Sequence, residues 1–253
     1  MKNLNIKDQI ITGFKILNDK YYIETNKKSS EEKNKVYKRT DIINCLLKIL
    51  SKNRETKYLE IGVRNPNHNF NKILSPVKYS VDPGIEFESN PVDFKMTSDD
   101  FFESITQGKI LNENVKFDVI FIDGLHLADQ VDKDIKNSLK FINDDGFIVL
   151  HDCNPPSEFH ARENYEFMYT PAKGYWNGTT WKAFFKYRKL SEFYSCCIDT
   201  DFGIGVISKS IDIGKSTLVE NKFYDYYLLN ANRKDSLNLV SFENFKKIIE
   251  FNF

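Results

Sequence analysis

The stretch VIFIDGLH, residues Val119 to His126, begins with four apolar residues and then changes to an acid, a glycine and, two positions on, a histidine. The apolar part predicts a buried strand, and the polar part stands where that strand ends. A similar change occurs in FIVLHDC, residues Phe147 to Cys153, where the apolar run stops at His151 and Asp152. Two predicted strands that each end in an acid and an imidazole indicate a functional site at their ends.

Four short apolar runs of this kind alternate with stretches of helical periodicity. Between the last two runs, Val131, Ile135, Leu139 and Ile142 recur at helical spacing. Short buried strands that alternate with helices are typical of a parallel sheet with helices on both faces. The sequence therefore predicts an α/β fold with a doubly wound, mostly parallel sheet. Its predicted strands lie in KYLEIGV, VKYSVDPG, FDVIFIDG and GFIVLHD, at residues 57–63, 77–84, 117–124 and 146–152.

The flanking regions carry patterns of their own. Residues 26–35, NKKSSEEKNK, predict a solvated loop, whereas residues 41–52, DIINCLLKILSK, carry one apolar stripe and predict a helix. FYSCCI and GIGVIS, residues 193–198 and 203–208, predict a C-terminal antiparallel hairpin. Further helices are predicted in TTWKAFFKYR, residues 179–188, and SFENFKKIIEF, residues 241–251.

These patterns divide the chain into three regions. Residues 1–50 are expected to form a helical arm or lid, and residues 51–210 the catalytic domain. Residues 211–253 are expected to form an extension that packs on the domain or on a second subunit of a homo-oligomer.

Composition narrows the class of protein. The chain has 253 residues, of which 41% are hydrophobic, so it is long enough for one large folded unit. Lys plus Arg and Asp plus Glu are equal at 36 each, so no global field would draw the protein to nucleic acid or an anionic membrane. The four cysteines form no CxxC pair and predict a reduced, cytoplasmic protein. We expect neither a signal peptide nor a membrane span.

The first two predicted strands end in groups suited to an adenosine-type cofactor. Gly62, in EIGVRNPN at residues 60–67, would let the backbone approach a ligand closely, and Asp82 in DPG would accept hydrogen bonds from ribose hydroxyls. The GxGxxG fingerprint of dinucleotide sites is absent, whereas Glu60 fits a cofactor that carries positive charge. S-adenosylmethionine has these features. Alternatively, Asp82 is only a turn former.

Taken together, the motifs resemble those of the class I S-adenosylmethionine-dependent methyltransferases. The set runs in order along the chain, with EIG at the first strand, VD at the second, TSDDFF after the third, FIDGLH at the fourth and LHD at the fifth. More narrowly, it is similar to bacterial sugar O-methyltransferases with a DGxH motif, including capsular-polysaccharide enzymes that act on nucleotide-activated heptose. The resemblance covers roughly residues 58–208 and departs from the family where GxGxG is reduced to Gly62.

The resemblance implies roles for the polar residues at the strand ends. In that family such residues hold the methionine part, the ribose and the adenine edge of the cofactor, in chain order. The corresponding residues here are Glu60 and Gly62 for the methionine part, Asp82 for the ribose, Ser98 and Asp99 for the adenine, and Asp123 at the border of the site.

Asp123 and Asp152 follow neighbouring strands, which lie about 4.8 Å apart in a sheet. Two carboxylates at that distance repel each other unless one is protonated or a cation lies between them. We therefore predict a divalent cation, Mg²⁺ or Mn²⁺, that is bound by Asp123, Asp152 and His151, with Asn154 completing the shell. His126 is the predicted base that removes the proton of an acceptor hydroxyl.

Simpler explanations of the same residues stay open. Asp123 would also serve as the N-cap of a helix that begins near Asp129, and His151 would also serve as a core histidine bonded to backbone. Capping accounts for one acid and leaves the other without a reason.

The connection after the last parallel strand is long, aromatic and polar, as in loops that bind substrates. Aromatic faces pack on sugars or bases, and an arginine grips phosphate. Trp181, Phe184 and Phe185 have helical spacing and are expected in the core. The predicted substrate-binding residues are His160, Arg162, Tyr175, Trp176 and Asn177.

These expectations define an O-methyltransferase that transfers a methyl group from S-adenosylmethionine to a sugar hydroxyl, with help from a divalent metal. The expected acceptor is a nucleotide-activated sugar in surface polysaccharide biosynthesis. The alternatives are a methyltransferase for another small molecule and a non-catalytic protein that binds the cofactor. A nucleic-acid methyltransferase is disfavoured, because NPP at residues 154–156 continues with Ser157 and not with the tyrosine of NPPY.

Overall fold

The computed structural model describes residues 5–86 and 91–253. A single mixed sheet lies at the centre of this part of the chain. Its strands are β1 (Lys57–Ile61), β2 (Val77–Val81), β3 (Phe117–Ile122), β4 (Ile142–Leu150), β5 (Tyr194–Ile198), β6 (Ile204–Ser208) and β7 (Leu239–Val240).

The strand order is β2-β1-β3-β4-β6-β5-β7. The first four strands are parallel, β6 is antiparallel to both β4 and β5, and β7 runs parallel to β5. The chain leaves β1 towards β2 and then returns to place β3 on the other side of β1. This reversal forms a crevice between the carboxyl ends of β1 and β3, where ligands bind in doubly wound sheets.

Helices cover both faces of the sheet. They are α1 (Ile6–Leu17), α2 (Lys20–Asn34), α3 (Arg39–Leu50), α4 (Ser98–Thr106), α5 (Ala128–Phe141), α6 (Thr180–Arg188), α7 (Tyr226–Ala231), α8 (Arg233–Leu237) and α9 (Phe242–Asn252), with a 3-10 turn at Phe70–Lys72. The core on one face includes α4, α5 and α6, and the core on the other face includes α3 and α9.

β3 is the centre of the two cores. All six of its residues are buried, with Ile120 and Ile122 packed on the α5 side and Val119 and Phe121 packed on the α3 side. Side chains alternate between the two faces of a strand, so a strand covered on both faces is mostly apolar. The exception in β3 is Asp118, which is buried and accepts bonds from Arg54, the Lys57 amide and Asn143. Fully burying one of the apolar side chains contributes roughly 1.5–3 kcal/mol.

The predicted fold class is confirmed, as are the four parallel strands, the hairpin of β5 and β6, and the helices α3, α5, α6 and α9. Trp181, Phe184 and Phe185 lie in the core, as predicted. The family's third strand, expected before Thr97, is reduced in the described residues to an isolated bridge between Val81 and Phe94.

The prediction of a solvated loop at residues 26–35 was wrong. These residues form most of α2, and Thr25, Ser29 and Glu32 are buried along its inner face. Ser29 Oγ bonds His160 Nε2 at 2.9 Å, and Glu32 Oε2 accepts a bond from the Phe202 amide at 3.1 Å. The helix packs through polar atoms, so its sequence lacks the apolar stripe by which such helices are recognised.

In the part of the chain that the structure covers, no helix combines the length and the hydropathy that crossing a membrane requires.

Candidate active site

The ends of β3 and β4 bring the two acids of the sequence prediction to the same edge of the sheet. Ile122 pairs with Leu150, and the ladder continues beyond the strands through the amides of Asp123 and His151. Asp152 then adopts a φ of +62°, a left-handed conformation that aspartate tolerates better than most residues. This turn lets the Asp152 carboxylate approach the side chains that follow β3.

Gly62 permits the close approach of β1 to this edge. Its φ is +88°, and a Cβ atom at this position would lie 2.2 Å from the carbonyl oxygen of Asp123. The glycine was predicted to leave room for a ligand, but the space beside it is filled by the main chain of Asp123 and Gly124. Gly62 therefore sets the width of the crevice at the switch point.

His126 lies between the two carboxylates. Its Nε2 atom is 3.3 Å from Oδ1 of Asp123, and its Nδ1 atom is 3.2 Å from Oδ2 of Asp152. Trp176 stacks on the imidazole at a centroid distance of 5.2 Å and an interplanar angle of 25°. Burial lowers the pKa of His126, but Asp152 and Asp123 outweigh burial and raise the pKa above its ordinary value.

His151 lies deeper in the same cluster. Its Nδ1 atom is 3.2 Å from Oδ1 of Asp123 and 3.0 Å from Oδ2 of Asp152, and its Nε2 atom is 3.4 Å from Oδ2 of Asp201. Burial and Arg39 both lower its pKa, yet the carboxylates of Asp152 and Asp123 raise it well above its ordinary value. A protonated His151 therefore serves as the counter-ion of these acids.

Two residues of this cluster were missed in the sequence. Arg39, the first residue of α3, bonds Oδ2 of Asp123 and also lies 2.9 Å from Oδ2 of Asp201. Asp201 belongs to the turn between β5 and β6 and has a φ of +47°. Burial raises the pKa of Asp201, but His151 and Arg39 bring it below its ordinary value. No motif signals this convergence, because the two residues meet only through the tertiary fold.

The cluster contains its own compensating charges. The repulsion between Asp123 and Asp152 was predicted to require a bound cation, but Arg39, His126 and His151 lie beside these acids. Burial raises the pKa of Asp123, whereas His151 and Arg39 hold it well below its ordinary value. Asp123 therefore stays ionised through contacts with protein groups.

A divalent cation nevertheless fits part of the cluster. Among the residues that the structure describes, Asp123, His126 and Asp152 each offer a ligand atom, and these atoms lie within 4.8 Å of one another. Two carboxylate oxygens with one imidazole form a donor set suited to Mn²⁺ or Mg²⁺. The imidazole in this donor set is thus that of His126, whereas His151 was the predicted ligand.

Asn154 does not belong to that donor set. Its side-chain amide donates to Oδ1 of Asp199 at 3.2 Å, and its oxygen accepts a bond from Arg233 at 2.5 Å. Asn154 was predicted to bind the metal. Its side chain instead joins the loop after β4 to the hairpin turn and to α8.

The acids predicted to bind the cofactor at the ends of β1 and β2 have internal partners. Tyr58 and Asn69 donate to Oε2 of Glu60, which is 3% exposed. Burial raises the pKa of Glu60 to about 7 despite these bonds. Asp82 is half-buried, and its Oδ1 accepts a bond from the Gly84 amide at 2.6 Å. The turn-forming role that the sequence left open for Asp82 is therefore present.

Ser98 and Asp99 stand at the start of α4 and face α5. Ser98 Oγ donates to Oδ1 of Asp134 at 2.6 Å, and Gln130 donates to both Ser98 and Asp99 at 3.3 Å. Burial raises the pKa of Asp134 to about 6. Ser98 is consequently a bridge between the two helices, while Asp99 stays half-buried at their rim.

The residues predicted to bind substrate differ in their burial and in their hydrogen bonds. His160 is fully buried, its Nδ1 and Nε2 atoms bond Ser157 and Ser29, and burial lowers its pKa to about 4. Arg162 donates to the carbonyls of Phe159, Lys173 and Tyr175, so its guanidinium ties the loop together. These bonds give both residues structural roles in the loop, and full burial keeps His160 away from a ligand.

The aromatic part of the same loop lies beside the cluster. Trp176 Nε1 donates to the Arg162 carbonyl at 2.7 Å, which holds the indole over His126. Tyr175 is 38% exposed and stacks on Phe202. Asn177 is 1% exposed and donates a hydrogen bond to the carbonyl of Phe202, so it supports the residue on which Tyr175 stacks.

In doubly wound sheets ligands bind outside the carboxyl ends of the strands, and the ionisable cluster of this protein lies at that edge, after β3 and β4. Comparison with known families gives the class more closely, since a family model for a methyltransferase domain matches residues 43–153. This segment, which spans less than half of the chain, holds β1 to β4 and both acids of the cluster. The segment is similar to a methyltransferase domain, in agreement with the predicted enzyme class.

Solved structures give weaker similarities. The O-methyltransferase from Bacillus cereus in complex with SAH is 13% identical with a TM-score of 0.41, over 80% of this chain and 97% of that one. The SAH-bound methyltransferase PaMTH1 from Podospora anserina is 12% identical with a TM-score of 0.43, over 83% and 98%. These overlaps are too weak to assign an acceptor. Among curated proteins, no sequence matched.

Proposed function

We propose that this protein is an S-adenosylmethionine-dependent O-methyltransferase that acts on a sugar hydroxyl. The observation that carries the proposal is the position of His126, which lies between Asp123 and Asp152 at the switch-point edge of a methyltransferase domain. We further propose that the acceptor is a nucleotide-activated sugar of surface polysaccharide biosynthesis, as the DGxH resemblance implies.

The acidic groups at the carboxyl ends of the strands agree with this cofactor. Asp82 and Asp123 stand just after the carboxyl ends of β2 and β3, so acidic groups border the crevice, whereas Glu60 near the end of β1 is buried. Acids favour a ligand that carries an amino group and a positively charged sulfur and disfavour one that carries two phosphates. When bound, S-adenosylmethionine supplies an electrophilic methyl group on that sulfur.

Transfer to oxygen requires that the acceptor lose a proton. A sugar hydroxyl is a poor nucleophile near neutral pH, and a positioned base typically contributes 10²–10⁴-fold to the rate. In the proposed reaction, the C–O bond forms as the C–S bond breaks, and neutral His126 takes the hydroxyl proton. Asp123 and Asp152 orient the imidazole and stabilise its protonated form.

A divalent cation offers a second arrangement of the same residues. Asp123, His126 and Asp152 would hold it, and it would lower the pKa of the acceptor hydroxyl there. His126 serves either as a ligand or as the base in a given complex. Chelation therefore separates the two arrangements.

Trp176 and Tyr165 form an aromatic wall beside His126, and this wall supports a sugar acceptor. Trp176 lies over His126, and its other ring contact is with Tyr165 at a centroid distance of 5.1 Å. Tyr165 is 44% exposed, so the wall is open to a ligand. The apolar faces of sugar rings pack on such surfaces.

We propose a cytoplasmic location for this enzyme, because its acceptor class and cofactor are intracellular metabolites. The four cysteines agree with a reducing compartment, since all are free and three of them are buried.

The test is to incubate the purified protein with methyl-labelled S-adenosylmethionine and a panel of nucleotide sugars, free sugars, catechols and amines, each with and without chelator. Label transfer to the oxygen of a nucleotide sugar is the expected result. Transfer only to amines or catechols would overturn the sugar assignment, and no transfer to any acceptor despite cofactor binding would favour a non-catalytic binding protein.

A further inference from the structure

The N-terminal helix α1 presents an apolar stripe that nothing in the described chain covers. Ile6, Ile10, Phe14 and Leu17 are 76%, 67%, 69% and 63% exposed, and no residue of α1 is buried. Single exposed apolar residues are ordinary, whereas a continuous row along a helix marks a contact surface.

α1 also lacks the support that a helix of its length needs. It has 12 residues and is capped at its start by Asn5, and among the described elements its main packing contact is with α2. Isolated helices shorter than about 12–15 residues are marginal in water. A packed partner on the apolar stripe would therefore stabilise α1 as well as cover it.

Three residues of the stripe, taken together with Gly13, have the spacing of a seam between two helices of the same kind. Ile6, Ile10, Gly13 and Leu17 are separated by four, three and four residues, which is the a/d spacing of a two-helix seam. In an antiparallel pair centred between residues 11 and 12, Ile6 lies opposite Leu17 of the second copy, and Ile10 lies opposite Gly13. Each large side chain at the centre thus meets a glycine.

Gly13 has the room that this arrangement requires. A Cβ atom built at Gly13 meets no atom within 4 Å, so the chain itself leaves the position open. A knob from one helix and a hole in the other, repeated by a two-fold axis, form a self-complementary interface. A flat lipid surface has no side chain to fill the space at Gly13, so this space favours a helix as the partner.

The available area agrees with a modest dimer. Covering four large apolar side chains on each of two copies removes on the order of 1,000 Å² of surface, close to the lower limit for a specific interface. We infer that two copies of this protein associate through antiparallel pairing of α1, with Ile10 of each copy seated on Gly13 of the other. The expected affinity is weak, in the micromolar range, given the small area.

Sedimentation equilibrium of the full chain tests this pairing. The wild type is expected to form a reversible dimer, and Ile10→Glu is expected to weaken association at least 10-fold. Ile11→Glu is the matched control, because Ile11 is 42% exposed on the same helix but lies off the stripe, and it should leave the dimer intact. Circular dichroism and the cooperativity of urea unfolding verify that each variant is folded.

A size exchange tests the proposed register. Gly13→Ile and Ile10→Gly are each expected to weaken the dimer, because isoleucine then faces isoleucine or glycine faces glycine. In a mixture of the two variants each isoleucine of the first chain faces a glycine of the second, so the heterodimer should recover association. The double variant Ile10→Gly with Gly13→Ile exchanges knob and hole within each chain and should recover association relative to the single variants. A monomeric wild type at 100 µM, an equal effect of Ile10→Glu and Ile11→Glu, or binding of a monomer to anionic vesicles through this stripe would overturn the inference.

Discussion

The Nε atom of Arg39 lies 2.9 Å from Oδ2 of Asp201, which joins the first turn of α3 to the turn between β5 and β6. The same guanidinium bonds Asp123 after β3. One side chain thus connects three separate parts of the fold at the edge of the sheet. Burial lowers the pKa of Arg39, but Asp123 and Asp201 raise it above its ordinary value.

Arg39→Gln is expected to destabilise the fold, because Asp123 and Asp201 lose their shared counter-ion. Removing one partner of a buried ion pair costs roughly 3–5 kcal/mol, and partial exposure of Arg39 reduces this to about 2 kcal/mol. Urea unfolding measures the loss. Arg64→Gln is the control, because its ion pair with Glu86 is exposed and should contribute less than about 0.5 kcal/mol. Equal effects of the two variants would contradict the assigned role.

His126→Gln is expected to reduce kcat/KM by about 10²–10⁴-fold if the imidazole is the base, with little change in cofactor affinity. His68→Gln provides the matched control, since His68 is exposed and distant in sequence from the cluster. Rates with S-adenosylmethionine and the acceptor found in the panel measure the effect. A His126→Gln enzyme that retains more than half of its activity would exclude His126 as base or ligand.

Asp152→Asn is expected to shift the titration of His126. The charge of Asp152 is the largest single contribution that raises the pKa of His126, so neutralising it lowers that pKa. A base must be deprotonated to act, and activity in the wild type is lost as the pH falls through the raised pKa. The acid limb of the kcat/KM profile should therefore move to lower pH in the variant.

NMR titration of the imidazole follows the same shift without turnover. Asp129→Asn changes the net charge equally at an exposed position near the start of α5 and should leave the His126 pKa almost unchanged. An unchanged titration in Asp152→Asn would show that the two side chains are not coupled in solution.

Gly62→Ala is expected to destabilise the protein by more than about 3 kcal/mol, because the added Cβ meets the Asp123 carbonyl oxygen and the positive φ is strained. Gly124→Ala is the control in the same crevice, where the nearest atom to an added Cβ is 3.7 Å away. Thermal and urea unfolding compare the two. Similar stabilities of the two variants would mean that β1 and β3 are not held as closely as described.

Glu60→Gln is expected to change how stability depends on pH. The pKa of Glu60 rises from an ordinary value of 4.5 to about 7 in the folded protein because of burial. The unfolded chain therefore releases this proton first, and the wild type loses stability as the pH rises from about 4.5 to 7. The glutamine variant lacks that loss, so its stability relative to the wild type should rise by roughly 3 kcal/mol across this window.

Urea unfolding at several pH values from 4.5 to 8 measures the difference between wild type and Glu60→Gln. The sign is diagnostic, since an acid stabilised in its charged form would give the opposite slope. A constant difference across the window would show that Glu60 has the same pKa in the folded protein as in the unfolded chain.

Much of the fold follows from the sequence because its signals are local. The apolar runs around Ile120 and Ile148 specify buried strands, and the helical spacing from Val131 to Leu139 places a helix between them. Parallel strands align their carboxyl ends, so the meeting of Asp123 and Asp152 could also be inferred. The helix α2 could not be predicted, because its inner face is polar and carries no apolar stripe.

The partners of the polar side chains were decided by the tertiary structure alone. A sequence gives Ser98, His160 and Arg162 as capable donors, but it does not reveal that each is already bonded within the protein. Nor does it place Arg39 beside Asp201, since the two are joined only when α3 packs against the sheet. Residue types and strand order come from the chain; which charges compensate one another depends on distances that only the folded protein sets.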